Sequence, residues 1–133
     1  FLGMVDCAPA VRRTLTELLR AQADSLVKYQ DESGMWHTVI DDKDSYVETS
    51  ASCGFAYGIL RGVHAGLLDS KYAEAAMKAL NPILGYIAED GVVNQVSYGT
   101  PMGRESKDFY KKIPIQPMPY GQALAMLLLI ELQ

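Results

Sequence analysis

Residues 48–66 read ETSASCGFAYGILRGVHAG, and this stretch limits the chain's folding options more than any other. Its spacing is helical, yet beyond Glu48 at its start only Arg61 and His64 are strongly polar. A helix with almost no wet face has to be enclosed by protein. It is also slim: Gly54, Gly58 and Gly62 stand among Ala51, Ser52, Cys53, Ala56 and Ala65. Each glycine costs up to about 1 kcal/mol relative to alanine inside a helix, so close packing or function must offset it. Thr49 or Ser50 is expected to cap the start, because a hydroxyl accepts from the free amides of a first turn.

The rest of the chain supplies candidates for the enclosure. Pro9 suits the first position of a helix. From there to Gln30, Val11, Leu15, Leu18, Leu19, Leu26 and Val27 recur at helical spacing, with Arg12, Arg13, Glu17, Arg20, Asp24 and Lys28 on the other side. Asp31 to Gly34 ends this amphipathic helix, and Gly34 fits the left-handed position after it. Met35 to Ile40 reads as a short strand and Asp41 to Ser45 as a polar loop. Asp69 or Ser70 opens a third helix with the stripe Tyr72, Ala73, Ala76, Met77, Leu80, Leu84 and Ile87. Pro82 should kink or divide it, and Gly91 should end it. Val92 to Ser97 reads as a second short strand. A Gly/Pro-rich loop from Tyr98 to Pro119 leads to a nearly all-apolar helix over Tyr120 to Leu132.

This order is a repeat. Gly34-Met-Trp-His-Thr-Val39 lines up with Gly91-Val-Val-Asn-Gln-Val96, and Ser52 to Tyr57 is similar to Tyr120 to Leu124. The unit is a wet-faced outer helix, a short strand, a loop and a dry inner helix. Two such hairpins bury little of their inner helices, whereas a closed ring of them buries those helices fully. The expected fold is therefore all-α: two outer/inner helical hairpins of an (α/α)6 toroid, an incomplete barrel with short β-strands in its loops. Residues 1–133 form one partial domain, with unit one at about 9–66 and unit two at about 70–133. In a toroid the inner helices run the same way, so their N-terminal mouths gather on one face and line a pocket there. A four-helix solenoid fragment, with Trp36 covering a helix end, is the competing arrangement.

Composition narrows the function classes. The formal net charge is −4, and the basic residues are scattered, which argues against nucleic acid as a partner. No apolar run approaches the roughly 20 residues of a membrane span. Two cysteines, Cys7 and Cys53, are too few for a disulfide scaffold, though a single bridge stays open, and free cysteine is commonly buried. Two separated histidines and two separated cysteines offer no metal-ligand spacing, so neither metal nor cofactor is expected. The chain opens on Phe1, from which we expect a piece of something larger.

The stretch YQDESGMWHTVIDDKDSYVETSASCGFAYGILRGV resembles glycoside hydrolase families 88 and 105, the unsaturated glucuronyl and rhamnogalacturonyl hydrolases. VSYGTPMG and IPIQPMPYGQALAMLLLIEL look like the tail of the same domain. The combination of Gly-x-Trp, Glu-Thr-Ser-Ala-Ser and the terminal Tyr-Gly-Gln helix carries the resemblance, which spans about Asp6 to Leu132. It implies a six-hairpin (α/α)6 barrel, of which this chain is a C-terminal portion. The implied activity removes the 4,5-unsaturated uronic acid left by polysaccharide lyases. A general-acid Asp protonates the vinyl ether, and water adds at the neighbouring carbon. That Asp and the family's principal sugar-binding residues precede the matched region, so the resemblance assigns no catalytic residue here. It implies an acidic oligosaccharide as partner of the complete domain, and a cytoplasmic location.

Candidate pocket-lining residues sit at the two mouths. Trp36 is a sugar platform or a lid over a helix end. His37 is a sugar donor or a surface residue. Glu48, Thr49 and Ser50 stand at an inner-helix N-terminus, where amides and dipole favour an anion such as a carboxylate, or they act as caps alone. Tyr120 and Gln122 start the last inner helix and face pocket or core. Asp41, Asp42 and Asp44 are expected to be solvated. His64 is expected to interact with its helix C-terminus, and Arg104, Lys111 and Lys112 either to meet an acidic sugar or to be soluble surface. Against the hydrolase reading stand a self-associating module covering its own inner helices and, more weakly, a helical scaffold for protein partners.

Overall fold

The slim helix lies at the centre. In a computed structural model, which describes residues 8–133, α1 (Pro9–Lys28), α2 (Thr49–His64), α3 (Ala73–Gly85) and α4 (Pro119–Glu131) follow one another. α2 packs against α3 on one side and α4 on the other. Cys53, Ala56, Ile59 and Leu60 of α2 form the middle of the core with Ala76, Ala79 and Ile83 of α3 and Ala125 and Leu128 of α4. The glycines divide the work of close approach. A Cβ at Gly62 would stand 2.8 Å from Leu68 Cδ1, and one at Gly54 would just touch Leu124, while Gly58 has open space. Gly121, at the start of α4, lies so close to Val96 that a Cβ would fall 2.7 Å from its Cγ2.

α1 lies over α2 through Ala23 and Leu26, with Leu19 partly buried. Val11, Leu18 and Val27 of its expected stripe are exposed, because no other described element lies against them. Met77 and Leu84 of α3 are exposed likewise.

Several elements differ from the sequence reading. α3 runs undivided through Pro82. A proline removes the bond to the carbonyl four residues back, here that of Lys78. Against this carbonyl the chain lays Gly34: φ is +94° there, and a Cβ would stand 2.4 Å from Lys78 O. α3 then stops at Gly85, short of Gly91, as Tyr86 and Ile87 tighten into bonds to Ile83 O and Leu84 O. The two expected strands, Met35–Ile40 and Val92–Ser97, are not strands. Only isolated antiparallel bridges form, His37 with Val47, Ile87 with Val93 and Ser97 with Ile115. In the second segment Gln95 has φ +57°, a left-handed turn that no strand passes through. In the first, the Trp36 amide leaves the ladder to donate to Ser52 Oγ at 3.0 Å. The long loop also carries structure, a 3-10 helix over Lys107–Lys112.

Cys53 is free and wholly buried. Cys7, the other half of any bridge, lies outside the described residues. Among the described residues no helix is long and apolar enough to cross a membrane.

Candidate functional site

The N-terminal ends of α2 and α4 open on the same cavity, of about 360 Å³, lined by Thr38, Glu48, Ser50, Ala51, Ser97, Gly99, Thr100 and Tyr120. Ligand sites usually occupy roughly 300–1,000 Å³, so one sugar ring fits the scale. The wall rests on Glu48, which is only 3% exposed. Its carboxylate accepts from the Ala51 amide at 2.5 Å, from Ser50 Oγ at 2.8 Å and from the Ser97 amide at 2.9 Å. Glu48 is thus the cap of α2, the role expected of Thr49 or Ser50. The anion at this helix mouth is the protein's own side chain. Its longer side chain reaches both the first turn and the second repeat's loop, as a serine hydroxyl cannot.

The opposite wall is equally knitted. Tyr46 hydroxyl pairs with Ser97 Oγ at 2.9 Å. Tyr120 hydroxyl donates to Ser97 O and accepts from the Gly99 amide. The hydroxyls of Thr38 and Thr100 have no partner among the described residues.

Of the expected site residues, Glu48, Ser50 and Tyr120 therefore come together on one cavity, and four do not line it. Trp36 is completely buried, with Nε1 donating to Leu26 O at 2.8 Å and its ring edge-on to Phe55. It covers α2 from inside, and no face is free for a sugar. His37 is not a surface residue: Nδ1 meets Ser45 O at 2.5 Å and Nε2 meets Asp31 Oδ2 at 3.2 Å, with the side chain 9% exposed. The Ser33 amide and hydroxyl, with His37, hold the Asp31 carboxyl well below the usual range. Thr49 donates its amide to Gln95 O, and its hydroxyl is buried without a partner among the described residues. Gln122 joins the start of α4 to the bend before it, accepting from the Val93 amide and donating to Gly91 O. The sequence reading passed over Thr38, Ser97, Gly99 and Thr100. The run Ser97 to Thr100, broken by a glycine and following Val96, is the signal that marks the last three.

Outside the cavity, Asp42 is not a solvated loop acid. It takes Lys111 at 2.8 Å and Lys107 at 3.2 Å, which lowers its pKa to about 2 and pins the long loop to the first. His64 bonds Glu131 at 2.6 Å rather than its own helix end. Burial, aided by the Glu48 charge, pushes the Cys53 thiol up to about 12. Among the described residues no group of three His, Cys, Asp or Glu side chains could hold a metal ion.

Alternating outer and inner helices, with a hydroxyl-rich cavity at the mouths of α2 and α4, define a segment of a helical-hairpin toroid. The chain belongs to glycosyl hydrolase family 88, whose family model matches residues 1–133. It is 42% identical over 114 residues to the unsaturated rhamnogalacturonyl hydrolase YesR of Bacillus subtilis (strain 168), covering 85% of this chain and 31% of that protein. A crystal structure of a possible member of family GH105 from Salmonella enterica superposes with a TM-score of 0.91 at 49% identity, over 96% of this chain and 34% of that one. A family 88 glycosyl hydrolase from Bacteroides vulgatus, at 22% identity and a TM-score of 0.80, shares the fold. The chain spans about a third of the length of these relatives.

Proposed function

We propose that this chain forms the C-terminal part of a hydrolase that removes 4,5-unsaturated uronic acid from lyase-generated oligosaccharides, by hydration of the vinyl ether. The supporting observation is the shared cavity at the mouths of α2 and α4, within a chain 42% identical to an unsaturated rhamnogalacturonyl hydrolase. On this reading the chain's partner is an acidic oligosaccharide and not nucleic acid, its setting is the cytoplasm, and its wider role is pectin breakdown. Residues 1–133 act as one partial domain, with Glu48, Ser50 and Tyr120 as pocket residues and Trp36, His37, Thr49 and Gln122 as supports behind them.

The chain is inactive alone. Glu48 is the one acid among the described residues of the cavity wall, and both its oxygens are engaged as acceptors by α2, Ser50 and Ser97, which makes it a brace and not an acid poised over substrate. Vinyl ether protonation needs an acid that keeps its proton near neutral pH and can reach the reacting carbon. The test follows the ultraviolet absorbance of the conjugated double bond in an unsaturated disaccharide. The expected result is no loss with this chain alone and loss once the remaining hairpins are supplied. Turnover by the chain alone would overturn the assignment.

A second reading is a non-catalytic module that associates with itself. It is favoured by α4, whose Met126, Leu127, Leu129 and Ile130 are exposed on a helix with almost no polar face. Light scattering across a concentration series separates the two, since only self-association gives a stable oligomer whose mass follows concentration.

A further inference from the structure

The long loop before α4 has a closed neck and a self-contained bulge. At the neck, Tyr98 donates its amide to Pro114 O at 2.8 Å, Gln116 donates to Val96 O at 2.9 Å, and Ser97 bridges to Ile115. The stretch between, Gly99 to Ile113, has the length and the close-set ends of an Ω-loop. Gly99, left-handed at φ +67°, turns the chain out of the neck, and its amide is held by the Tyr120 hydroxyl. Beyond it the bulge bonds to itself. The Gly103 amide donates to the Tyr110 hydroxyl, the Asp108 amide donates to Ser106 Oγ, and Lys111 pairs with Asp108 at 3.3 Å. No residue of the 3-10 helix is buried. Among the described residues, the only hydrogen bonds or ion pairs by which residues 100–112 reach the rest of the chain are those of Lys107 and Lys111 to Asp42.

Asp42 is the fixed half of this tie. Its amide donates to Val39 O, its carbonyl accepts from the Ser45 amide and hydroxyl, and its Oδ1 accepts from the Asp44 amide. Oδ2 is left to take both ammonium groups, at 2.8 and 3.2 Å. The pairs thus join two loops that each supply a wall residue of the cavity, Thr38 before the Asp42 turn and Thr100 at the foot of the bulge. We propose that residues 100–112 are a gate at the rim of the cavity and that Asp42 is its latch. Surface ion pairs are weak and screened by salt, so the latch releases readily, freeing Thr100 while the neck stays closed. The inference does not depend on what the cavity binds, and it stands apart from the hydrolase reading.

Nitrogen-15 relaxation of the labelled 133-residue chain reads the motion of the gate. A neutral gadolinium chelate in solution reads access, by broadening the amides of Ser50 and Ala51 on the cavity wall. Asp42→Asn keeps an acceptor for the Asp44 amide and removes the charge. In that variant residues 100–112 should become mobile as a block, with Tyr98 and Gln116 unchanged. The open population should rise about 2- to 25-fold, the range for two exposed ion pairs, and broadening at Ser50 and Ala51 should rise with it. Lys107→Gln with Lys111→Gln should have the same effect, and all three changes together should add nothing, because both sides act through one interaction. Raising salt to about 1 M should mobilise the unsubstituted loop and leave the Asp42→Asn chain as it was. A loop that stays rigid without Asp42, effects of the two sides that add, mobility that spreads to the neck, or a mobile loop with unchanged broadening each overturns the gate.

Discussion

Gly34 and Gly91 occupy matching places in the two repeats, and they offer an internally controlled test of how the repeats pack. Both have left-handed backbone, φ +94° and +84°. Replacing either with alanine imposes a conformational cost of about 1–2 kcal/mol. Gly91 has nothing near its missing Cβ, so its cost should end there. At Gly34 the added carbon would lie 2.4 Å from Lys78 O and 2.9 Å from Lys78 C, both backbone atoms of α3. An ordinary carbon–oxygen contact is about 3.3–3.6 Å, so loop or helix must move by about 1 Å. Overpacking of this kind adds about 1–3 kcal/mol. The expected losses are about 2–5 kcal/mol for Gly34→Ala and about 1–2 for Gly91→Ala. Urea unfolding followed by the fluorescence of Trp36 measures both. With a slope near 2 kcal/mol/M, the midpoints should fall by about 1–2.5 M and about 0.5–1 M. Equal losses would refute the claim that Gly34 is required by its contact with the Pro82 turn of α3.

Glu48→Ala should destabilise the chain by about 1–3 kcal/mol, because the Ala51 and Ser97 amides lose their acceptor, and hydrogen exchange should rise at both amides together. The folded pKa of Asp42, about 2, lies below its unfolded value near 3.9. Its ion pairs therefore contribute in full above about pH 4 and are lost as pH falls through about 2; exchange over residues 107–112 against pH checks this, with Asp42→Asn as the reference that keeps only the Lys111–Asp108 pair. Cys53, buried and with its thiol raised to about 12, should ignore a thiol reagent at neutral pH and react only as fast as the chain opens. Trp36 should emit at short wavelength and resist a soluble quencher until unfolding, read by fluorescence.

The helical order was legible because it is written in long periodic signals. The dry stripe of residues 48–66 needs neighbours on several sides, and α2 has them in α3 and α4. What stayed hidden depends on contacts far apart in sequence. Alternation in Met35–Ile40 and Val92–Ser97 suggests strands, but nothing local reveals that Gln95 turns left-handed or that the Trp36 amide goes to Ser52 Oγ. Capping rules favour Thr49 and Ser50, yet Glu48 prevails because Ser97 arrives from the other repeat to share its carboxylate. Trp36 and His37 stand out in the sequence for their rarity, whereas Ser97 and Thr100 do not. The rarer pair is buried support, and the common residues face the cavity.

The bond from Ser97 to Glu48 spans 49 residues, and this sets a schedule for the ribosome. At about 5–20 residues per second, roughly 2–10 s separate the emergence of α2 from that of the loop that completes its mouth. Through that interval Glu48 can cap its own helix, but the wall opposite does not yet exist. The first repeat must therefore wait, half-finished, for the second to be made. A stall or slow codon between the two would lengthen the exposure of α2's dry flank, making translation speed across residues 66–97 a determinant of how much of the chain escapes aggregation.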